Sequence, residues 1–179
     1  MKRNPAELSV APGTGLQRFS RQEAQQWRQR WCEVYVGNRP ARGVSRYLWH
    51  QFSWGAYPCV SGSAAERSYA QQLATEVMVL ASDRGAAALL AGTPPTWCSR
   101  MDYCVFPANL AWTMAFTHED SWLGPYFARH PDYEALTRQA ARQQLAAARK
   151  AQQLEWAKKW DIHEFDSCLS PMHKLRRPI

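Results

Sequence analysis

Apolar positions between residues 19 and 36 recur at helical spacing. Trp27, Trp31 and Val34 stand at i, i+4 and i+7 and form one stripe. Ser20, with Glu23 three residues on, has the capping-box pattern, and Phe19 and Ala24 occupy the staple positions around it. Gly37, Asn38 and Pro40 end this predicted helix. Residues 46–54, RYLWHQFSW, are aromatic and predict a strand. Leu48, His50, Phe52 and Trp54 would share one face, with Tyr47, Trp49, Gln51 and Ser53 on the other. A turn follows at 55–62. Ser63 and Glu66 then repeat the capping-box spacing, and Ala65, Tyr69 and Leu73 give a second helix its buried side. Residues 76–82, EVMVLAS, form a short apolar run expected as a buried strand. The stretch 83–100 is ambiguous: its Ala-Leu part fits a helical turn, and Gly92, Pro94 and Pro95 require loop.

The clearest segment is MDYCVF, PANL, AWTMAFTHE, which predicts a β-hairpin with a short loop. In its second strand Trp112, Met114, Phe116 and His118 alternate with Ala111, Thr113, Ala115 and Thr117. Bulky residues on one side and small ones on the other predict a sheet packed by helices on at least its bulky face. A long helix is expected over about 132–160, where Ala, Gln, Arg and Glu dominate. Its apolar stripe is thin: Ala141, Leu145, Ala148, Gln152, Trp156. The fold class expected is α+β, a small and mostly antiparallel sheet of about four strands packed by helices, with a long polar C-terminal helix. The expected organisation is a flexible arm at 1–18, a single domain at 19–165 and a basic tail at 166–179.

Charge and cysteine usage narrow the class of protein. The formal net charge is +7, with Lys2, Arg3, Lys174, Arg176 and Arg177 at the ends and further cations along the last helix. A basic surface attracts nucleic acid or acidic protein, but no compact Lys/Arg patch interleaved with aromatics stands out. The five cysteines are odd in number and lack CxxC spacing, which predicts reduced thiols in a cytoplasmic protein. No apolar run is long enough for a secretory signal or a membrane helix. No P-loop, Rossmann glycine pattern or GxSxG occurs, so no cofactor is expected.

One group of side chains invites chemistry. His118, Glu119 and Asp120 end an apolar strand, Asp102 begins the other arm of the hairpin, and His50 reaches them if the strands pair. A His–carboxylate pair suits general acid–base work or a metal. HExxH is absent, because Glu119 is followed by Asp120, Ser121 and Trp122, and no metal site is expected. Cys98 and Cys104 flank the first hairpin strand and Cys168 lies five residues before His173, spacings that match no common zinc site. Buried small hydrophobes are the better account of these cysteines.

Three segments carry a family resemblance: YLWHQFSWG at 47–55, DYCVFPANLAWTMAFTHED at 102–120 and LGPYF at 123–127. Together they resemble the bacterial domain-of-unknown-function family 4275 over about residues 20–128. His50, Trp112, Thr117, His118, Glu119, Gly124, Pro125, Tyr126 and Phe127 match its pattern. The resemblance implies no reaction, and the long helix and basic tail look like additions to it.

Three functions are open. The favoured one is a protein-binding module, most concretely an immunity protein that neutralises a cognate toxin or effector by direct binding. Its contact residues would be His50, Asp102, His118, Glu119, Asp120, Trp122 and Tyr126. The alternatives are a hydrolase-type enzyme using His118 and Glu119, and nucleic-acid binding through the basic C-terminal helix and tail.

Overall fold

The computed structural model describes residues 8–74, 76–82, 87–119 and 122–167, with side chains through 158. The chain divides into two compact units, residues 1–136 and 137–179. The boundary falls inside the span 19–165 expected as one domain.

The first unit is α+β. Two short strands, β1 (Val10–Ala11) and β2 (Gly15–Arg18), precede helix α1 (Arg21–Tyr35). Then come a single helical turn α2 (His50–Ser53), strand β3 (Val60–Ser61) and helix α3 (Ser63–Ala70). Strands β4 (Val77–Ala81), β5 (Ala88–Ala91), β6 (Trp97–Cys98), β7 (Tyr103–Phe106), β8 (Trp112–Phe116) and β9 (Tyr126–Arg129) follow. The last helix is α4 (Tyr133–Ser167).

The main sheet has seven strands in the order β2-β5-β4-β7-β8-β9-β3, and β1 pairs separately with β6. Each pairing is antiparallel. The expected antiparallel α+β class holds, but about four strands was too few. The missed strands β2, β3 and β9 have two to four residues each, too short to show a period of two. The stretch at 88–91, which fitted a helical turn, is β5, held between β2 and β4. Residues 10–18, expected within a loose arm, contain β1, which pairs with β6, and the whole of β2, which pairs with β5.

Both faces of the sheet are covered, so its central strands carry no polar alternation. Val77, Val79, Leu89, Val105, Trp112, Met114 and Phe127 meet Ala65 and Tyr69 of α3. The opposite face presents Met78, Leu80, Cys104, Phe106, Ala115 and Ala128 to Ala24, Trp31 and Tyr35 of α1 and to Leu48, Trp49 and Phe52. The small residues of β8 make room for large ones of α1: the Trp31 indole donates to the buried Thr113 hydroxyl at 3.0 Å. The capping box at Ser20 is present in both directions. The second one is not. Ser63 is already helical, Gly62 is the cap residue, and no side chain caps α3. That helix also ends at Ala70, which leaves Leu73 exposed instead of buried.

The segment 46–54 is the main correction. It is no strand but a helical turn, with the Phe52 and Ser53 amides both donating to the Trp49 carbonyl. Leu48, Trp49 and Phe52 are buried at i, i+1 and i+4, a helical spacing that the aromatic content obscured. The buried Gln51 amide closes the preceding loop, accepting from the Ala41 amide and donating to the Arg39 carbonyl, both at 3.0 Å. Gly43 lies at φ +84°, and a Cβ there would stand 2.8 Å from the His50 ring, so only glycine lets the loop lie against the imidazole.

Of the second unit only the continuous helix through Ser167 lies in the described span, and residues 141–158 are exposed throughout. The expected tail at 166–179 lies almost wholly outside the described residues.

Candidate functional site

The register of the hairpin decides where the polar cluster forms. Tyr103 lies opposite Phe116, so Asp102 and the residues after Phe116 emerge at the same end of the sheet. Strand β8 stops at Phe116, and His118 does not continue its bulky face as the alternation predicted. The imidazole instead turns toward the face covered by α1, where its ring centroid lies 5.5 Å from Tyr47 and 6.0 Å from Trp49. The turn that permits this is closed by the Thr117 hydroxyl, which accepts from the Glu119 amide at 3.0 Å.

Asp102 organises the cluster. Its carboxylate accepts from the Trp49 indole at 2.8 Å, from the His118 amide at 3.2 Å and from His118 Nδ1 at 2.8 Å. A carboxylate only accepts, so Nδ1 carries a proton and the neutral ring presents an unprotonated Nε2. Glu119 Oε1 lies 3.7 Å from Nε2, an ion pair when the imidazole is protonated. The Asp102 side chain is 13% exposed and that of His118 is 36% exposed, so the carboxylate is sheltered while the ring reaches water. The backbone beneath is tied to both neighbouring segments. The Ser82 amide donates to the Asp102 carbonyl, and the Ser82 hydroxyl accepts from the Leu48 amide.

His50 joins the cluster from α2, its ring 4.0 Å from that of Trp49. Strand pairing was expected to bring His50 toward His118; instead a helical turn sets it against Trp49, whose ring also lies 6.0 Å from that of His118. Burial lowers its pKa; Glu119 and Asp102 pull it part of the way back, and His118 and Arg46 push it down again. Protonation is therefore resisted in the folded chain and free in the unfolded one. This stability contribution is complete above about pH 6.5 and is lost as the pH falls through the depressed value. On acidification from about pH 7 to 5, the urea midpoint of His50→Gln is expected to fall less steeply than that of the parent chain. Parallel curves would show that His50 does not carry this dependence.

The other expected contacts are spread differently. Trp122 is 84% exposed, and its amide donates to the Glu119 carbonyl. Tyr126 is buried with its ring on Phe52, and burial, aided by Cys59 and Glu119, raises its hydroxyl pKa. Asp120 lies outside the described residues. Trp49, which supplies the indole donor, and Trp54, which is 62% exposed just after α2, were not among the expected site residues. The alternation assumed for 46–54 had put Trp49 on the face away from His50. Among the described residues no three His, Cys, Asp or Glu side chains are grouped to hold a metal ion. Burial raises the thiol pKa of Cys98 and Cys104, which disfavours the thiolate that a nucleophile needs.

The hairpin corner and the turn after it contain most positions on which the family likeness rests. Gly124 lies at φ +98°, and a Cβ there would stand 2.6 Å from the Thr117 methyl, so the chain after Glu119 can fold back only through glycine. The model of the domain of unknown function DUF4275 matches residues 18–127, more than half of the chain. The chain belongs to this family. No curated protein and no solved structure shows a significant match. No helix among the described residues is long and apolar enough to cross a membrane.

Proposed function

We propose that this chain is a protein-binding module, most concretely an immunity-type protein that neutralises a toxin or effector by covering it. The observation that carries the reading is a pair of exposed tryptophans tied to the polar cluster. The Trp54 amide donates to the His50 carbonyl and the Trp122 amide to the Glu119 carbonyl. Large exposed aromatic side chains beside polar groups are what interface anchors require. Glu119 and the sheltered Asp102 favour a partner that brings cationic groups to this corner. The test uses the product of the adjacent gene as the candidate toxin. Co-expression of the chain should restore growth, and Trp122→Ala and Trp54→Ala should each weaken the complex by about tenfold or more with unchanged circular dichroism. Absence of any complex, or full affinity in both variants, would sink the proposal.

A second reading has its own support. An imidazole fixed by a carboxylate through Nδ1, its side chain 36% exposed and its Nε2 3.7 Å from Glu119, is suited to accept a proton from a water or hydroxyl nucleophile. Hydrolysis of an activated ester that disappears in Asp102→Asn, with partner affinity intact, would favour this reading over the first.

A further inference from the structure

Helix α4 carries five basic side chains between residues 137 and 158, Arg138, Arg142, Arg149, Lys150 and Lys158, against one acid, Glu155. Glu155 is paired with Lys158 at 3.1 Å, and Arg138, Arg142, Arg149 and Lys150 are the other cations of this span. Their spacing is informative. At about 100° per residue, Arg138, Arg142 and Arg149 fall within about 40° of one another around the helix. Trp156 lies on the same line, 61% exposed, and Leu145 borders it. The stripe runs for about 27 Å from Arg138 to Trp156. The opposite side holds Ala140, Gln143, Ala147, Ala151 and Leu154.

We infer that this stripe is a binding site for single-stranded nucleic acid, separate from the hairpin corner and independent of the function proposed for it. Guanidinium groups in line suit a phosphate backbone, because each offers a planar pair of donors to one phosphate. A tryptophan at the end of the row supplies a face on which a base stacks without regard to its identity. A membrane surface fits less well, since the side opposite the arginines is mostly Ala, with Gln143, Lys158 and a single large apolar residue, Leu154, and is no bulky apolar wedge. A second copy of the helix brings the same positive charge and is repelled. The net charge of +7 adds long-range attraction to a polyanion.

The test is anisotropy of a fluorescein-labelled oligothymidylate of about 20 nucleotides, titrated with the full chain between about 50 and 200 mM salt. Affinity should fall steeply with salt. The triple variant Arg138→Gln, Arg142→Gln, Arg149→Gln should bind at least about tenfold more weakly, with a log–log salt slope smaller by about 2, since each lost phosphate contact removes about 0.7. Trp156→Ala should lose about tenfold in affinity with its slope unchanged, the signature of stacking without charge. These substitutions lie on an exposed helical face, so circular dichroism should not change. Full affinity in the triple variant would overturn the inference. So would equal binding of polyglutamate or of phosphatidylserine vesicles with the same dependence on the arginines.

Discussion

Trp31→Ala is expected to destabilise the chain by about 3–5 kcal/mol, a large share of the roughly 5–15 kcal/mol typical of a folded domain. Trp31 is fully buried, edge-on to Phe52 and tilted against Tyr35. Truncation opens a cavity between α1 and β8 that the surrounding rings fill only in part. It also leaves the buried Thr113 hydroxyl without its indole donor. The two contributions separate in a cycle. Trp31→Phe keeps most of the ring volume and should cost less than Ala, with about 1–3 kcal/mol from the unpaired hydroxyl. Adding Thr113→Val removes that hydroxyl, so the double variant should be more stable than the sum of the single changes implies. Urea denaturation followed by far-ultraviolet circular dichroism measures each term. Strict additivity would show that the indole–hydroxyl pair contributes nothing.

That contact also shows what the sequence made legible. The stripe Trp27–Trp31–Val34 and the capping box are local signals, and α1 formed where they placed it. Tyr35 was missed as a core residue, yet it is fully buried and donates to the Leu110 carbonyl at 2.8 Å. The hairpin was legible because bulky and small residues alternate along its second strand and a short PANL loop precedes it. Its register then brought Asp102 to His118, as expected. The 46–54 segment was not legible, because its aromatic residues favour strands on average. Its turn geometry is fixed by groups distant in the chain, namely the Ser82 hydroxyl on Leu48 and the Asp102 carboxylate on Trp49. A tertiary hydrogen bond of that kind leaves no periodic trace. For the same reason the site's polar members were found while the indole that locks them was not.

The second large effect is expected at Asp102, where Ala and Asn substitutions should diverge. Asp102→Ala removes the acceptor for the Trp49 indole, the His118 amide and His118 Nδ1 together. Trp49 is almost wholly buried, so its N–H is left without a partner. With the lost charge-assisted contact to His118 the cost should be about 2–3 kcal/mol, limited by the water that reaches the imidazole. Asp102→Asn keeps an oxygen for the indole and the amide, and most of the stability should survive. Its new NH2 group takes the place of Oδ2, 3.0 Å from Nδ1, and opposes the proton that Nδ1 donates to Oδ1 at 2.8 Å. The tautomer with the proton on Nε2 should gain population at the expense of the one on Nδ1, turning Nε2 from an acceptor into a donor. Nitrogen-15 chemical shifts of the imidazole report this tautomer directly. A fully folded Asn variant with the proton still on Nδ1 would show that Asp102 does not set the ring's state. A flipped tautomer with unchanged partner affinity and lost hydrolysis would move the weight from recognition to chemistry. A flipped tautomer with weakened partner affinity would instead place Nε2 at the interface, because only a group that contacts it there would sense which nitrogen carries the proton.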